Sequence, residues 1–495
     1  MKTWLNLGII IIIACFGVFL AFNHAHQTTI ITSDSITYID AARHMADGLG
    51  YRTSLLSFSD GGSNPSLTLW PPFYAMTITP LISANIDPIY AGRIISALAY
   101  GLLIIVIGLW IRSSKGPLMG VVAATILLTL PALIDTATTV LSESLYTLVF
   151  IISVWLGWIA IKHNRLTWWF IFGLVIGLSA LTKYLSIVLV ALIPIAALIL
   201  AKRNKNYRSV IKPTLIGLAG AALFILPLLM RNVMLGQPLG GGERLVSTVP
   251  FLSNIGDTVK TLAADFSSSL LWIAISISTL LALIIIIWRR KFLRSWKKIS
   301  WPLIAAATYT IGLIVIRSVV HVDRIYTRYL MPIYPLIIFI VIILLWDAIK
   351  IINGRWANIA MGIAAIIFLA WGIKTYDFQA GKFQAEPTYR ARVVQKQTTE
   401  NDLIIGNIAR EYNLYLGRDV IQLYSDERSP QLTTELTREL THKWSSAYNR
   451  IIIAVTPDLH AESYGEYVAS LSRGEKNDLE LLEQTDRVIV YEVPR

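Results

Sequence analysis

The chain has 495 residues, 55% of them hydrophobic and only 15% charged, with a mean hydropathy of +0.59; that is too apolar for a soluble globular protein of this length and makes lipid its solvent. The formal net charge of +12 does not point to nucleic acid, because the basic residues sit in short loops between apolar runs, the pattern that orients a membrane protein. A single cysteine, Cys15, excludes an intrachain disulfide and a cysteine-based zinc cluster, and its place inside an apolar run reads as packing.

The first apolar run, 4–22 behind Lys2, is long enough at 1.5 Å per residue to cross a core of roughly 30 Å. It reads as an uncleaved helix, with a cleaved signal peptide as the alternative, and either delivers the next loop outside. Further spans are predicted at 89–111, 118–135, 140–161, 168–182, 184–201, 211–230, 269–288, 301–320, 329–349 and 356–373, about eleven in all with the first. The stretch 168–201 would make about 51 Å of continuous helix, too long for one crossing. Lys162 and Arg165 before it and Lys202, Arg203, Lys205 and Arg208 after it belong on the cytoplasmic side, so a turn near Lys183 must divide it and put Lys183 outside. Asp34, Asp40, Asp135, Glu143, Asp257 and Asp265 fall on that outer side too. So does the polar tail beyond about residue 375, given an odd number of spans from an inside amino terminus.

The first outer loop, within 23–88, carries the richest chemistry. Asp34, Tyr38, Ala42 and Ala46 recur every four residues, which predicts a short helix with Ser33 as its cap and Gly48 to Gly50 at its end. A carboxylate at that helix start suits a general base that takes a proton from an acceptor hydroxyl. The structural alternative is an Asp that caps the helix or pairs with Arg43, Arg52 or Arg93. Trp70, Phe73 and Tyr74 in LWPPFY suit stacking on a sugar or a polyprenyl chain, and equally an interfacial aromatic belt.

Glu143 opens a predicted span in VLSESLY, where an ionised group needs water, a metal or a partner. Lys183 follows SALT, Arg231 and Asn232 follow LLPLLM, and Arg328 precedes YLMPIYP, so three cations return to one membrane surface on different helices. Such cations suit the phosphate of a lipid carrier; singly, each suits a snorkelling anchor.

The tail, 376–495, changes character. Short β-rich runs at 403–406, 420–424, 450–455 and 487–493 alternate with helical pattern such as 460–472, which predicts a small α/β domain without a phosphate loop. No internal repeat of the transporter kind is visible.

In order, SDSITYIDAARHMADGLGY, LWPPFYAMTITPLI, GRIISALAYG, LSESLY, GLSALTKYLS, LPLLMRNVMLGQPL and RYLMPIYPLIIF resemble the GT-C superfamily of lipid-carrier-dependent glycosyltransferases, in the branch of protein O-mannosyltransferases and lipid A aminoarabinose transferases. The resemblance covers about 1–375. It implies a polytopic α-helical catalytic domain over 1–375 with a small extracytoplasmic α/β domain over 376–495. It also implies inverting transfer of a sugar from a polyprenyl- or dolichyl-phosphate donor to an acceptor hydroxyl on a protein, lipid or glycan.

By motif match, Asp34 would be the catalytic acidic residue of the first loop and Glu143 the second acidic position, which shapes the site or helps hold a divalent ion. Lys183 and Arg328, with Arg231 beside them, contact donor phosphate. Tyr38, Arg43, Trp70 and Tyr74 are further candidates for substrate contact. Many relatives show two adjacent acids where Ser33 and Ser35 flank Asp34, which thins the metal ligand set to Glu143 with His44 or His321 as weak additions. No cofactor is required by this reading. The expected setting is a plasma membrane, crossed many times, with the site and tail outside. The rival class is a secondary transporter or flippase, which places ionisable residues near the bilayer midplane, whereas here they gather at helix ends.

Overall fold

The structure, a computed structural model, describes residues 2–23, 31–56, 64–241, 246–267, 278–284, 287, 292–320, 324–352, 357–375, 389–406, 409–422, 444, 447–455, 480–485 and 488–493. The chain forms two compact units, one of Met1–Ile30, Thr68–Tyr74 and Arg93–Lys382, the other of Ile31–Leu67, Ala75–Gly92 and Phe383–Arg495. Most of the first outer loop, expected to fold with the membrane domain, therefore packs with the tail.

The first unit is helical. Its principal helices are α1 (Lys2–Asn23), α4 (Pro88–Lys115, which follows α2 at Ser33–Ala46 and α3 at Phe73–Ser83 along the chain), α5 (Pro117–Leu128), α6 (Pro131–Ala137), α7 (Glu143–His163) and α8 (Leu166–Thr182). Then come a 3-10 segment (Tyr184–Ala191), α9 (Leu192–Asn204), α10 (Ile211–Met234), α11 (Phe251–Ser267), α12 (Phe292–Val319), α13 (Thr327–Leu330), α14 (Tyr334–Ile352) and α15 (Ala357–Thr375). Among the described residues seven helices are long and apolar enough to cross a membrane, or eight if α5 and α6, bent by 65°, form one broken span.

The protein is a multi-pass membrane protein, and the predicted runs are found again with three adjustments. α8 and the run at Asn358–Ala370 are shorter apolar helices, and 269–288 falls largely outside the described residues. The break predicted near Lys183 is present: α8 stops at Thr182, Lys183 is extended at φ −155°, and a 3-10 turn begins at Tyr184. Cys15, expected to pack, is exposed on α1.

Small residues let α8 and α10 touch backbone to backbone. A Cβ on Gly173 would stand 1.8 Å from the Gly217 carbonyl oxygen, and one on Gly220 2.3 Å from that of Phe170. This contact fixes the spacing of the two helices near the ends that carry Lys183 and Arg231.

The second unit holds α2 (Ser33–Ala46), α16 (Tyr389–Gln397), α17 (Ala409–Leu416) and a six-stranded sheet in the order β1-β3-β2-β4-β6-β5. The strands are β1 (Leu55–Leu56), β2 (Asp402–Gly406), β3 (Val420–Gln422), β4 (Arg450–Val455), β5 (Glu480–Gln484) and β6 (Ile489–Val493). β1, β3, β2 and β4 run parallel, whereas β6 is antiparallel to β4 and β5 to β6.

Alternate residues feed two apolar clusters, Leu403, Ile405, Ile451 and Ile453 with Trp444 on one face and Ile404, Val420, Ile452 and Val490 with Tyr412 on the other. Burial on both faces is what near-continuous runs such as RIIIAV demand. The four predicted strands are found, while β5 and the β1 contribution from the first loop escaped the sequence reading. The helical pattern at 460–472 lies outside the described residues.

Candidate active site

In the helical unit, Glu143 occupies the first turn of α7, where the helix dipole favours a carboxylate. It is buried, and its Oε1 accepts a hydrogen bond from Lys183 Nζ at 2.8 Å. Its Oε2 is also buried and has no hydrogen-bond partner, so one acceptor of the carboxylate is open to an incoming donor.

The Lys183 ammonium stands 5.8 Å from the Tyr146 ring centre and 5.5 Å from that of Tyr329. Arg328 packs against Tyr329 too, at 5.1 Å, and against Tyr326 at 5.2 Å. Tyr329 is held through its carbonyl, which accepts from Tyr309 Oη at 2.7 Å. The two expected phosphate cations thus share one aromatic ring, a geometry in which ring quadrupoles steady buried positive charge, and Arg328 lies within electrostatic reach of Glu143.

Two cavities border this stack. One, of about 380 Å³, is lined by Lys183, Tyr329, Trp70, Tyr184 and Arg317 over an apolar floor that includes Val188 and Leu313. The other, of about 370 Å³, is more polar, with Asp135, Thr136, Asp265, Thr327, Arg328 and Tyr334. Asp265 there accepts from Thr327 Oγ1 at 2.9 Å and from the Tyr334 hydroxyl. Tyr184 is set by donating to the Thr68 carbonyl at 2.8 Å while accepting from Asn232 at 3.0 Å. Gly241, at φ +70°, passes so close that a Cβ would lie 1.9 Å from the Thr68 oxygen.

Arg231, the third expected cation, is half-buried beside Asn232 and lines neither cavity. Trp70 lines the apolar one, whereas Tyr74 is fully buried with its hydroxyl 2.8 Å from Ser96 Oγ, a packing position.

Arg317 escaped the sequence reading. It is buried in the last turn of α12, lines the Lys183 cavity, and donates through Nη1 to Asp257 at 2.9 Å and to Asn254. An arginine inside a predicted span was the available signal, since such a charge requires a partner.

In the second unit, α2 forms as predicted, with Gly48 and Gly50 at positive φ beyond its end. The cap is Thr32 rather than Ser33: Thr32 Oγ1 accepts from Ser35 N at 3.2 Å and Ser35 Oγ from Thr32 N at 3.0 Å, a capping box. Asp34, half-buried in the first turn, is therefore not the capping group. Tyr38 is buried within α2. Arg43 donates to the carbonyls of Asn413 at 3.0 Å and Leu414 at 2.7 Å, a structural task at the end of α17. Asp40 is buried and accepts from Thr53 Oγ1 and Ser54 N, both at 2.7 Å, and from Asn413 Nδ2 at 3.1 Å. That lock joins α2, the approach to β1 and α17.

A divalent ion does not find a ligand set among the described residues. No three His, Cys, Asp or Glu side chains converge there, Glu143 is paired with Lys183, and His44 Nε2 lies 2.7 Å from Ser54 Oγ. His321 lies outside the described residues.

The profile of the family described as dolichyl-phosphate-mannose-protein mannosyltransferase matches residues 70–230, a stretch that contains Glu143 and Lys183. Among solved structures, ArnT from Cupriavidus metallidurans in the apo state superposes with a TM-score of 0.62 at 14% identity, covering 99% of this chain and 98% of that one. The same protein bound to undecaprenyl phosphate gives 0.61 at 13% identity, covering 99% and 98%. The oligosaccharyltransferase AglB from Archaeoglobus fulgidus, in complex with an inhibitory peptide and a dolichol-phosphate, gives 0.57 at 11%, covering 92% and 70%. Comparison with the curated proteins gives no match. At these identities the likeness establishes the fold: the chain has the architecture that ArnT and AglB share, which is the fold the motif resemblance implied.

Proposed function

We propose that the protein is an integral membrane glycosyltransferase that moves a sugar from a polyprenyl- or dolichyl-phosphate donor to an acceptor hydroxyl, with inversion, on the outer face of the plasma membrane. The observation that carries this is the pair of cations, Lys183 and Arg328, held against Tyr329 at the border of an apolar and a polar cavity. An apolar floor beneath a lysine fits a polyprenyl chain whose phosphate meets the cations. A cavity bounded by carboxylates, hydroxyls and Arg328 fits the sugar hydroxyls. The similarity to a fold whose ArnT example binds undecaprenyl phosphate supports the same class of carrier here.

In this reading the acceptor oxygen attacks the anomeric carbon, the carbon–oxygen bond to the donor phosphate breaks, and negative charge grows on the departing phosphate. Lys183 and Arg328 stabilise that charge. Glu143 sets the position of the Lys183 ammonium through their hydrogen bond. Asp34, matched to the first-loop acid of the superfamily and relieved of capping, takes the acceptor proton.

The test is to incubate the purified protein in detergent with a panel of polyprenyl-phosphate sugars. Consumption of one donor without any ion gradient, with release of polyprenyl phosphate and an inverted anomeric configuration in the product, is expected. A gradient-dependent flux of an intact solute in vesicles, with no donor consumed, supports the transporter class instead. Orientation is checked in a Cys15→Ser background: Glu400→Cys should react with an impermeant thiol reagent in intact cells and Lys205→Cys should not.

A further inference from the structure

The helix α11 is amphipathic in the sense opposite to that of a soluble protein. Its polar stripe, Asn254, Asp257, Thr258, Thr261 and Asp265, follows helical spacing and faces protein. Asn254 donates to Ser318 Oγ at 2.8 Å, Asp257 holds Arg317 at 2.9 Å, Thr261 donates to the Ile325 carbonyl at 2.8 Å, and Asp265 accepts from Thr327. The opposite stripe, Leu252, Ile255 and Val259, is exposed, with Leu252 at 77% and Val259 at 59%.

A soluble surface helix turns its apolar stripe inward; the reverse is the arrangement lipid imposes, because polar groups must find protein partners and apolar ones need none. With 17 residues and a polar stripe along its whole length, α11 is no crossing helix, and it has the composition of one that lies in the interfacial plane.

The neighbouring helix names the occupant of this face. Along α12 the exposed side chains Ile311, Val315 and Val319 recur every four residues, a stripe on a span that lipid must cover. That stripe runs to the point where α11 is docked, through Asn254 to Ser318 and Asp257 to Arg317, and where Val246 bridges Val320. The exposed apolar stripe of the span therefore ends where α11 is docked, and α11 presents its own exposed apolar stripe beside it.

We infer that α11 is an interfacial membrane helix whose Leu252, Ile255 and Val259 stripe is embedded among acyl chains while its inner stripe lines one cavity and holds a residue of the other. Asp257 positions Arg317 in the Lys183 cavity and Asp265 lines the Arg328 cavity, so one lipid-seated element sets a residue in each.

The test uses the full-length protein with Cys15→Ser, reconstituted in phosphatidylcholine–phosphatidylglycerol vesicles, and spin-labelled in turn at Leu252→Cys, Ile255→Cys and Val259→Cys. Reference labels are placed at Ile311→Cys on the α12 stripe and Glu400→Cys on the exposed surface of the other unit. Power-saturation measurements with oxygen and with a water-soluble nickel chelate should give all three α11 labels the high oxygen-to-nickel accessibility ratio of the Ile311 label. A ratio like that of the Glu400 label places the stripe in water and overturns the inference. Exclusion of both collision partners at all three positions overturns it as well, because protein, a second copy or another chain, then covers the face.

Discussion

Glu143 and Lys183, forty positions apart, meet in a 2.8 Å hydrogen-bonded ion pair between the first turn of one helix and the residue that ends the next. Glu143 is buried, at 3% exposure, and Lys183 nearly so, at 12%, so water screens the pair little and the Glu143 charge depends on its partner. Removal of one partner leaves a buried charge alone, at a cost of about 3–5 kcal/mol. Glu143→Gln and Lys183→Met should each lower thermal stability in detergent, the double variant should recover much of the loss, and donor turnover should stay low in all three. Equal stability of both single variants and the parent would show that the pair is not coupled.

Tyr329 carries two cations on its ring. Tyr329→Phe keeps the ring and should leave donor affinity near the parental value, because the contact of its hydroxyl with Arg328 is long at 3.3 Å. Tyr329→Leu removes about 0.5–2 kcal/mol per cation and should weaken polyprenyl-phosphate binding about tenfold or more, measured by titration of the lipid into detergent-solubilised protein.

Asp34 and Thr32 separate chemistry from capping within one helix turn. Asp34→Asn should cut transfer by about 10² to 10⁴ with little change in stability, since Asn cannot take the proton. Thr32→Ala should do the reverse, costing about 1 kcal/mol of stability through the lost capping box while leaving turnover near parental. Parental turnover in Asp34→Asn would move the base elsewhere.

Asp40 accepts three hydrogen bonds inside the second unit. Asp40→Ala strands Thr53, Ser54 N and Asn413 and should cost roughly 1–3 kcal/mol for each donor left unsatisfied. Limited proteolysis should then release fragments from the second unit while the helical unit stays resistant. Asn413→Ala should be milder, because two of the three donors to Asp40 remain.

Gly173 has no room for a methyl group against the Gly217 carbonyl. Gly173→Ala should destabilise the helical unit by about 1–3 kcal/mol, as overpacking does, seen as a lower melting temperature. Gly8→Ala, at a position with open space around the backbone, serves as the neutral control.

The sequence by itself determined that this is a polytopic membrane protein with an α/β tail, and it located the break at Lys183, because hydropathy, helix length and loop charge are local quantities readable along the chain. The α2 helix and the strands β2, β3, β4 and β6 were legible for the same reason: a period of 3.6 or 2 shows within a few residues. Only the tertiary structure decided that Glu143 pairs with Lys183, that Arg328 shares Tyr329 with Lys183, and that Arg317 is held by Asp257. Each of those relations depends on how separate helices pack, which is set by contacts such as Gly173 against Gly217 that no periodicity announces.

The strand β1 was hidden because two residues, Leu55 and Leu56, carry no alternation, and their partners Val420 and Ile421 lie far along the chain. From sequence, Arg43 was a candidate for substrate contact or for pairing with Asp34, and Asp40 was one of several outer acids. Burial gave them their meaning, since a buried carboxylate or guanidinium must be matched by hydrogen-bond partners, here Thr53, Ser54 and residues of α17, brought together only by folding.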